Sequence, residues 1–195
     1  MLIRSVYEGP EMSSRARFEE LALPHRDAAY NLAYWILRNA DDAEDVVQDA
    51  YLRAFRAFGG FKGDAMRPWL LAIVRNAAFR VLLDRKRANN VVPFDFIYAT
   101  DDAANGMDFA STDPSAEAAL IAEGEARRLY AALAELPVAY RDIIVLREME
   151  NLSYGEIAEI TGIALGTVMS RLSRGRALLR KAIERRTGEE EPDAV

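Results

Sequence analysis

The chain has 195 residues, of which 51% are hydrophobic and 29% charged, with a formal net charge of −6, no cysteine and a single histidine, His25. Disulfides, thiolate zinc sites and thiol catalysis are excluded by that composition, and one histidine leaves neither a His-rich metal site nor an ordinary catalytic triad. No apolar run approaches the roughly 20 residues of a membrane helix, and Met1–Ser14 has no apolar stretch ahead of a small-residue cleavage site, so a cytoplasmic protein without membrane insertion, metal, cofactor or catalytic residue is expected.

Ala, Leu, Arg and Glu dominate, apolar residues recur at helical spacing and alternating β-branched runs are scarce, which predicts an all-α fold. Residues 1–14 read as an N-terminal extension, with Met12 a possible alternative start. A first helix is expected over Arg15–Leu37. A second starts at Asp41, where Asp41 can cap and Glu44 lies three residues on, and runs to Phe58. A Gly-rich loop, Gly59-Gly60-Phe61-Lys62-Gly63-Asp64, precedes a third helix that starts near Pro68, a residue favoured in a first turn, and continues to Arg87.

Helical periodicity stops between Ala88 and Asp113. That stretch carries Asp95, Asp101, Asp102, Asp108 and Asp113, no Lys or Arg, and the turn signals Asn89-Asn90, Pro93 and Asn105-Gly106. It reads as an acidic linker between two small helical domains, residues 15–88 and 114–187, with 89–113 the linker and 188–195 an acidic tail. Helix resumes over Ser115–Leu136, again from Pro137 to Met149, then over Ser153–Thr161 and from Leu165 or Gly166 to Arg186.

The segment Ser153–Leu172 has the local marks of a helix-turn-helix. Ser153 and Glu156 have capping-box spacing, Ala158 is small where two helices must approach, and Gly162 falls where positive φ is needed. Ile157, Ile163, Val168 and Leu172 supply a small core, and Gly175 and Leu179 continue the inward stripe. Thr167, Ser170, Arg171 and Arg174 then face outward at the start of the second helix, where groove-reading residues sit. Arg176, Arg180, Lys181, Arg185 and Arg186 follow as candidate phosphate contacts. A helical hairpin with a solvated basic face would show the same charges.

In the first half, Val47, Tyr51, Ala54, Phe55 and Phe58 form an apolar stripe, and Asp45, Gln48, Asp49 and Leu52 the opposite face. An exposed leucine among acidic residues fits a docking surface for a basic partner helix, and equally a solvated face. On the third helix, Trp69, Ile73, Asn76 and Arg80 share one stripe, on a helix that also carries Arg67, Arg75, Arg85, Lys86 and Arg87. Stacking, edge hydrogen bonding and phosphate contact are what single-stranded nucleic acid requires, and the preceding Gly-rich loop can shape a pocket for an extruded base. The alternative places Trp69 and Ile73 in the core and leaves the arginines solvated.

The run Asp42–Phe55, the block Trp69–Asn76, and Leu136-Pro137 through Leu152–Ala158 to Gly166–Leu172 resemble the extracytoplasmic-function (ECF) sigma factors, over about residues 18–87 and 117–185 and in the family's order. The resemblance implies a sigma-2-like domain and a sigma-4-like domain in an alternative sigma factor, not an enzyme. Asp45, Gln48, Asp49 and Leu52 then dock the β′ clamp helices of core RNA polymerase. Phe61 and Lys62, in the Gly59–Met66 loop, join Trp69, Asn76 and Arg80 at minus-ten promoter DNA. Thr167, Ser170, Arg171, Arg174 and Arg176 read minus-thirty-five DNA in a domain that also contacts the β flap. An anti-sigma factor is the expected regulator, with the chain a monomer or its heterodimer. Two departures are Met169, where many relatives have lysine, and Ala164, where many have proline and where a looser turn follows. Two rivals make different predictions: a self-sufficient helix-turn-helix regulator predicts a homodimer, and a sigma-like decoy predicts loss of the base-reading residues.

Overall fold

The computed structural model describes residues 14–63, 65–88 and 116–188; the expected linker and tail, the extension up to residue 13, and Asp64 lie outside them. Six segments of regular helix and turn order the first half: α1 (Ser14–Ala22), a 3-10 turn (Leu23–His25), α2 (Arg26–Leu37), α3 (Ala40–Ala57), a second 3-10 turn (Phe58–Gly60) and α4 (Met66–Ala88), followed in the second half by α5 (Ala116–Ala134), α6 (Val138–Ile144) and a π-helical turn (Val145–Met149). The helix-turn-helix pair then closes the described chain as α7 (Tyr154–Thr161) and α8 (Leu165–Gly188).

Three boundaries differ from expectation. The single helix expected over Arg15–Leu37 is broken at Leu23–His25, where Pro24 begins a 3-10 turn; proline lacks an N–H and its ring collides with the carbonyl four residues back. The cap of α3 is Asn39, not Asp41: Asn39 is extended, and its Oδ1 accepts from the Asp42 N–H at 3.0 Å. The expected start of the third helix near Pro68 moves back two residues to Met66, which keeps Pro68 in the first turn.

Helices α2, α3 and α4 pack on one another, and α8 packs on α5, α6 and α7. The two halves also pack together, α4 against α7 and α2 against α6. One apolar cluster therefore runs from Leu32, Trp35, Val47 and Val74 through Leu136 and Ile143 to Ile157, Val168 and Leu172. A smaller cluster seats α1, with Phe18 and Ala22 on Ala54, Phe58, Met66 and Leu70. Phe55 departs from the stripe read for the second helix: it is 42% exposed and meets the Phe18 ring edge-on, centroids 5.3 Å apart.

Polar groups fix the joint between the halves. Arg141 is fully buried and donates from Nε to the Trp35 carbonyl at 2.6 Å and from Nη1 to the carbonyls of Ala134 and Leu136 at 2.7 and 2.9 Å. Trp35 lies in the last turn of α2 and Ala134 ends α5, so one guanidinium satisfies carbonyls left open at two helix C-termini. Asp142, also fully buried, receives Arg75 of α4 through Nε at 2.9 Å and Nη2 at 2.7 Å. Glu150 receives Arg67 Nη2 at 2.5 Å and Asn31 Nδ2 at 3.4 Å.

Candidate nucleic-acid interface

The helix-turn-helix forms as its sequence dictates. Ser153 Oγ accepts from the Glu156 N–H at 3.3 Å, and the Glu156 carboxylate accepts from the Ser153 N–H at 2.8 Å, completing a reciprocal capping box. The Ser153 hydroxyl, which donates to Glu156 Oε2 at 2.6 Å, and then the Ser153 N–H hold the Glu156 carboxyl below the usual carboxylate range. Gly162 ends α7 at φ 68° and its N–H reaches the Ala158 carbonyl at 2.9 Å. That left-handed conformation costs an L side chain roughly 1–2 kcal/mol.

The Ala164 carbonyl accepts from the N–H groups of Thr167 and Val168 at 2.8 and 3.0 Å, starting α8. Ile157, Val168 and Leu172 are buried and Ile163 packs beside them. Gly175 brings α8 close to α6, since a Cβ there would stand 2.8 Å from Ile144 Cδ1 and 3.3 Å from Tyr140 Cβ.

The start of α8 is open outside that core. Ser170 and Arg174 are exposed, and Thr167 and Arg171 half-buried. Ser170 Oγ donates to the Thr167 carbonyl at 3.0 Å, a bond a hydroxyl can exchange for a base edge. Met169 is 48% exposed and gives this face an apolar spot. Arg176 is engaged: its Nε and Nη2 donate to Glu148 Oε1 at 3.0 and 2.6 Å, which raises its pKa. Arg185 and Arg186 both pair with Glu135.

In the first half, the loop after α3 folds back on α4. The Phe61 ring lies 4.8 Å from that of Trp69 and stacks near Phe58 at 6.1 Å. Phe61 and Trp69 are each half-buried, their rings pack on each other, and both line a hollow. Gly60, Lys62, Gly63 and Ala72 also line this hollow, and Glu159 of α7 lines it from the other half. Asn76 and Arg80 stand exposed further along α4.

Three other arginines of α4 are held in ion pairs. Arg67, Arg75 and Arg85 are paired with Glu150, Asp142 and Asp42. On α3, Asp45, Gln48 and Leu52 are exposed, Leu52 at 58%, and Asp49 is half-exposed and bridged to Arg53 at 2.6 Å. No group of three or more His, Cys, Asp or Glu side chains that could hold a metal occurs among the described residues, nor any helix long and apolar enough to cross a membrane.

Residues 21–88 match the family Sigma-70 region 2, and residues 126–179 match Sigma-70, region 4. The chain is 31% identical over 179 residues to the ECF RNA polymerase sigma factor SigE of Mycolicibacterium smegmatis, spanning 92% of this chain and 66% of that protein. It is 31% identical over 183 residues to the RNA polymerase sigma-H factor of Pseudomonas aeruginosa, with 93% of each covered. Against the ECF RNA polymerase sigma factor SigW of Bacillus subtilis it is 29% identical over 188 residues, 94% of this chain and 97% of the other. Among solved structures, the sigma factor RpoE in complex with the anti-sigma factor NepR from Bartonella quintana aligns at a TM-score of 0.65 and 26% identity, covering 86% of this chain and 97% of that one. CnrH in complex with the cytosolic domain of CnrY shares the fold at a TM-score of 0.58 and 24% identity, with 89% and 90% covered. Two sigma-70 regions in order, on relatives matched along most of both chains, make this protein a member of the extracytoplasmic-function sigma factors.

Proposed function

We propose that the chain is an alternative sigma factor that binds core RNA polymerase in the bacterial cytoplasm, directs it to a set of promoters and takes part in strand opening without chemistry of its own. The observation that carries this reading is the coexistence of two unlike nucleic-acid surfaces. One is a capped helix-turn-helix with Thr167, Ser170, Arg171 and Arg174 at the start of its second helix. The other is an aromatic hollow at Phe61 and Trp69, followed along the same helix by Asn76 and Arg80. The first suits the edges of paired bases in a major groove at the minus-thirty-five element. The second suits an unpaired base stacked on an aromatic ring at the minus-ten element, with Lys62 and Arg80 near its phosphates.

The exposed acidic face of α3, with Asp45, Gln48, Asp49 and Leu52, serves as the docking surface for the β′ clamp helices, and the region-4 half also meets the β flap. Arg176 reaches DNA only after exchanging Glu148 for a phosphate. Anti-sigma complexes among the solved relatives support regulation of this chain by an anti-sigma factor, in a heterodimer. The domain division at residues 15–88 and 114–187 follows the same reading. The deciding experiment reconstitutes the chain with core RNA polymerase on sheared genomic DNA of the source organism and maps the 5′ ends of the transcripts. Transcripts that start downstream of one shared pair of motifs and require both components are expected. Failure of the core enzyme to bind the chain overturns the reading.

A further inference from the structure

The part of α8 that stands outside the core has two flanks of different chemistry. Val168 and Leu172 are buried and define the inward direction. The step of about 100° per residue in an α-helix then places Thr167, Arg171 and Arg174 on one side, Met169, Ser173 and Arg180 on the other, and Ser170 outermost between them. The first side offers hydroxyl and guanidinium groups. The second side opens with apolar ones: Met169 is exposed, and so is Leu165, one turn earlier. Met169 also lines a hollow with Tyr154, the first residue of α7, and with Ser173 and Arg180.

The core does not need Met169. Val168, Leu172 and Ala182 are the buried apolar side chains of α8, and Gly175 is where the helix closes on α6. One exposed methionine is common on a protein surface; its place gives this one meaning. It sits beside the exposed Ser170 in the second turn of the helix that the sigma-factor reading lays in a major groove. A thioether has no charge, no donor and only a weak acceptor. Met169 therefore has nothing for a phosphate and no hydrogen bond for N7 or O6 of guanine. On the edges of the base pairs in a major groove, the group that suits an apolar neighbour is the C5 methyl of thymine. A lysine, which many relatives carry at this position, would favour a phosphate or a guanine instead.

We propose that Met169 is a specificity-determining residue of this chain, which selects a thymine in the minus-thirty-five element through its methyl group. The inference rests on the sigma-factor reading and adds to it a base preference that needs no hydrogen bond. Burying one methyl group is worth about 0.8 kcal/mol, a preference of about fourfold for thymine over the same base without its methyl. The exchange of lysine for methionine thus separates the promoters of this chain from those of relatives that share its other base-reading residues.

The test uses the full chain with core RNA polymerase on a promoter located by mapping transcript 5′ ends on genomic DNA. Each thymine of the minus-thirty-five element, on either strand, is replaced singly by deoxyuridine, which pairs alike and lacks only the methyl. Binding of the polymerase complex is measured by competition against the unmodified duplex. At one position the replacement should weaken binding by about fourfold. In Met169→Ala, and in the nearly isosteric Met169→Gln, the same replacement should change binding by less than about 1.5-fold. Both variants alter an exposed position and keep the helix, since alanine and glutamine are good helix formers. A series in which no deoxyuridine costs more than about twofold, or a penalty above about 1.5-fold that survives in either variant, overturns the proposal. If the wild-type chain and core polymerase give no mapped promoter, the sigma-factor reading itself fails, a result separate from these.

Discussion

Replacing Asp142 by alanine strips the Arg75 guanidinium of both its carboxylate contacts, at 2.9 and 2.7 Å, and leaves its charge against the joint between the halves. Removing one partner of a buried pair costs about 3–5 kcal/mol, because the other charge stays desolvated without compensation. Two features put this case at the lower end. The Arg75 side chain remains 12% exposed and lies over the Phe79 ring at 4.4 Å, so it keeps some solvent and a cation–π contact. Asp142 Oδ1 has no hydrogen-bond partner among the described residues, so the wild-type carboxylate is itself incompletely satisfied. The expected loss is about 3 kcal/mol. Urea denaturation followed by circular dichroism measures it: with a slope of about 2 kcal/mol/M, the midpoint falls by about 1.5 M. Asp142→Leu combined with Arg75→Met should recover most of the loss, since an apolar pair of similar volume carries no desolvation penalty. A loss below about 1 kcal/mol, or a double variant no better than Asp142→Ala, refutes the claim that this buried pair holds the halves together.

Three further outcomes are expected. Asp45→Arg reverses charge on the exposed face of α3; co-elution with core RNA polymerase should be lost while the unfolding free energy changes by less than about 0.5 kcal/mol, as at most surface sites. Arg171→Ala should weaken promoter binding by the polymerase complex by about 1–3 kcal/mol at one base pair if Arg171 reads a guanine, measured on a panel of single-pair promoter substitutions; an equal loss across the panel assigns Arg171 to a phosphate instead. Ser153→Ala should destabilise the chain by about 1 kcal/mol in thermal or urea unfolding. The capping box also has a pH signature. The folded pKa of Glu156 lies below its ordinary 4.5, so its contribution is complete above pH 4.5 and fades as pH falls through the lowered folded value; Glu156→Gln should flatten the stability–pH curve in that acid window.

The helix-turn-helix was legible because its determinants are local. A serine three residues before a glutamate, a glycine at the left-handed end of α7 and a stripe at helical spacing all act within one or two turns, and each formed as read. The same holds for the all-helical class. The boundaries that moved did so through nearby competition, Pro24 against helix continuity and Asn39 against Asp41 for the cap.

What stayed hidden was the pairing between distant residues. Arg67 and Arg75 look like nucleic-acid contacts on the same helix as Trp69, yet their partners are 83 and 67 residues away. An arginine aimed at a phosphate and one aimed at a remote carboxylate are identical in a sequence. Arg141 and Asp142 carry no local mark either: two adjacent charged residues in a helix with apolar flanks read as solvated, and both are fully buried. The hollow at Phe61 and Trp69 likewise takes Glu159 from a segment far along the chain, which no local pattern announces.

The π-helical turn at Val145–Met149 bears on how such a protein tolerates change in length. The Glu150 N–H reaches back five residues to the Val145 carbonyl at 3.0 Å, so this turn holds one residue more than an α-helix would. Deleting one residue from it would restore ordinary winding and swing everything beyond by about 100° relative to Asp142. Asp142 and Glu150 could then no longer meet Arg75 and Arg67 together, and α8 would lose its seat on α5 and α6. The turn therefore works as a spacer of fixed count: an indel here would put α7 and α8 out of phase with the helices before it and with the first half.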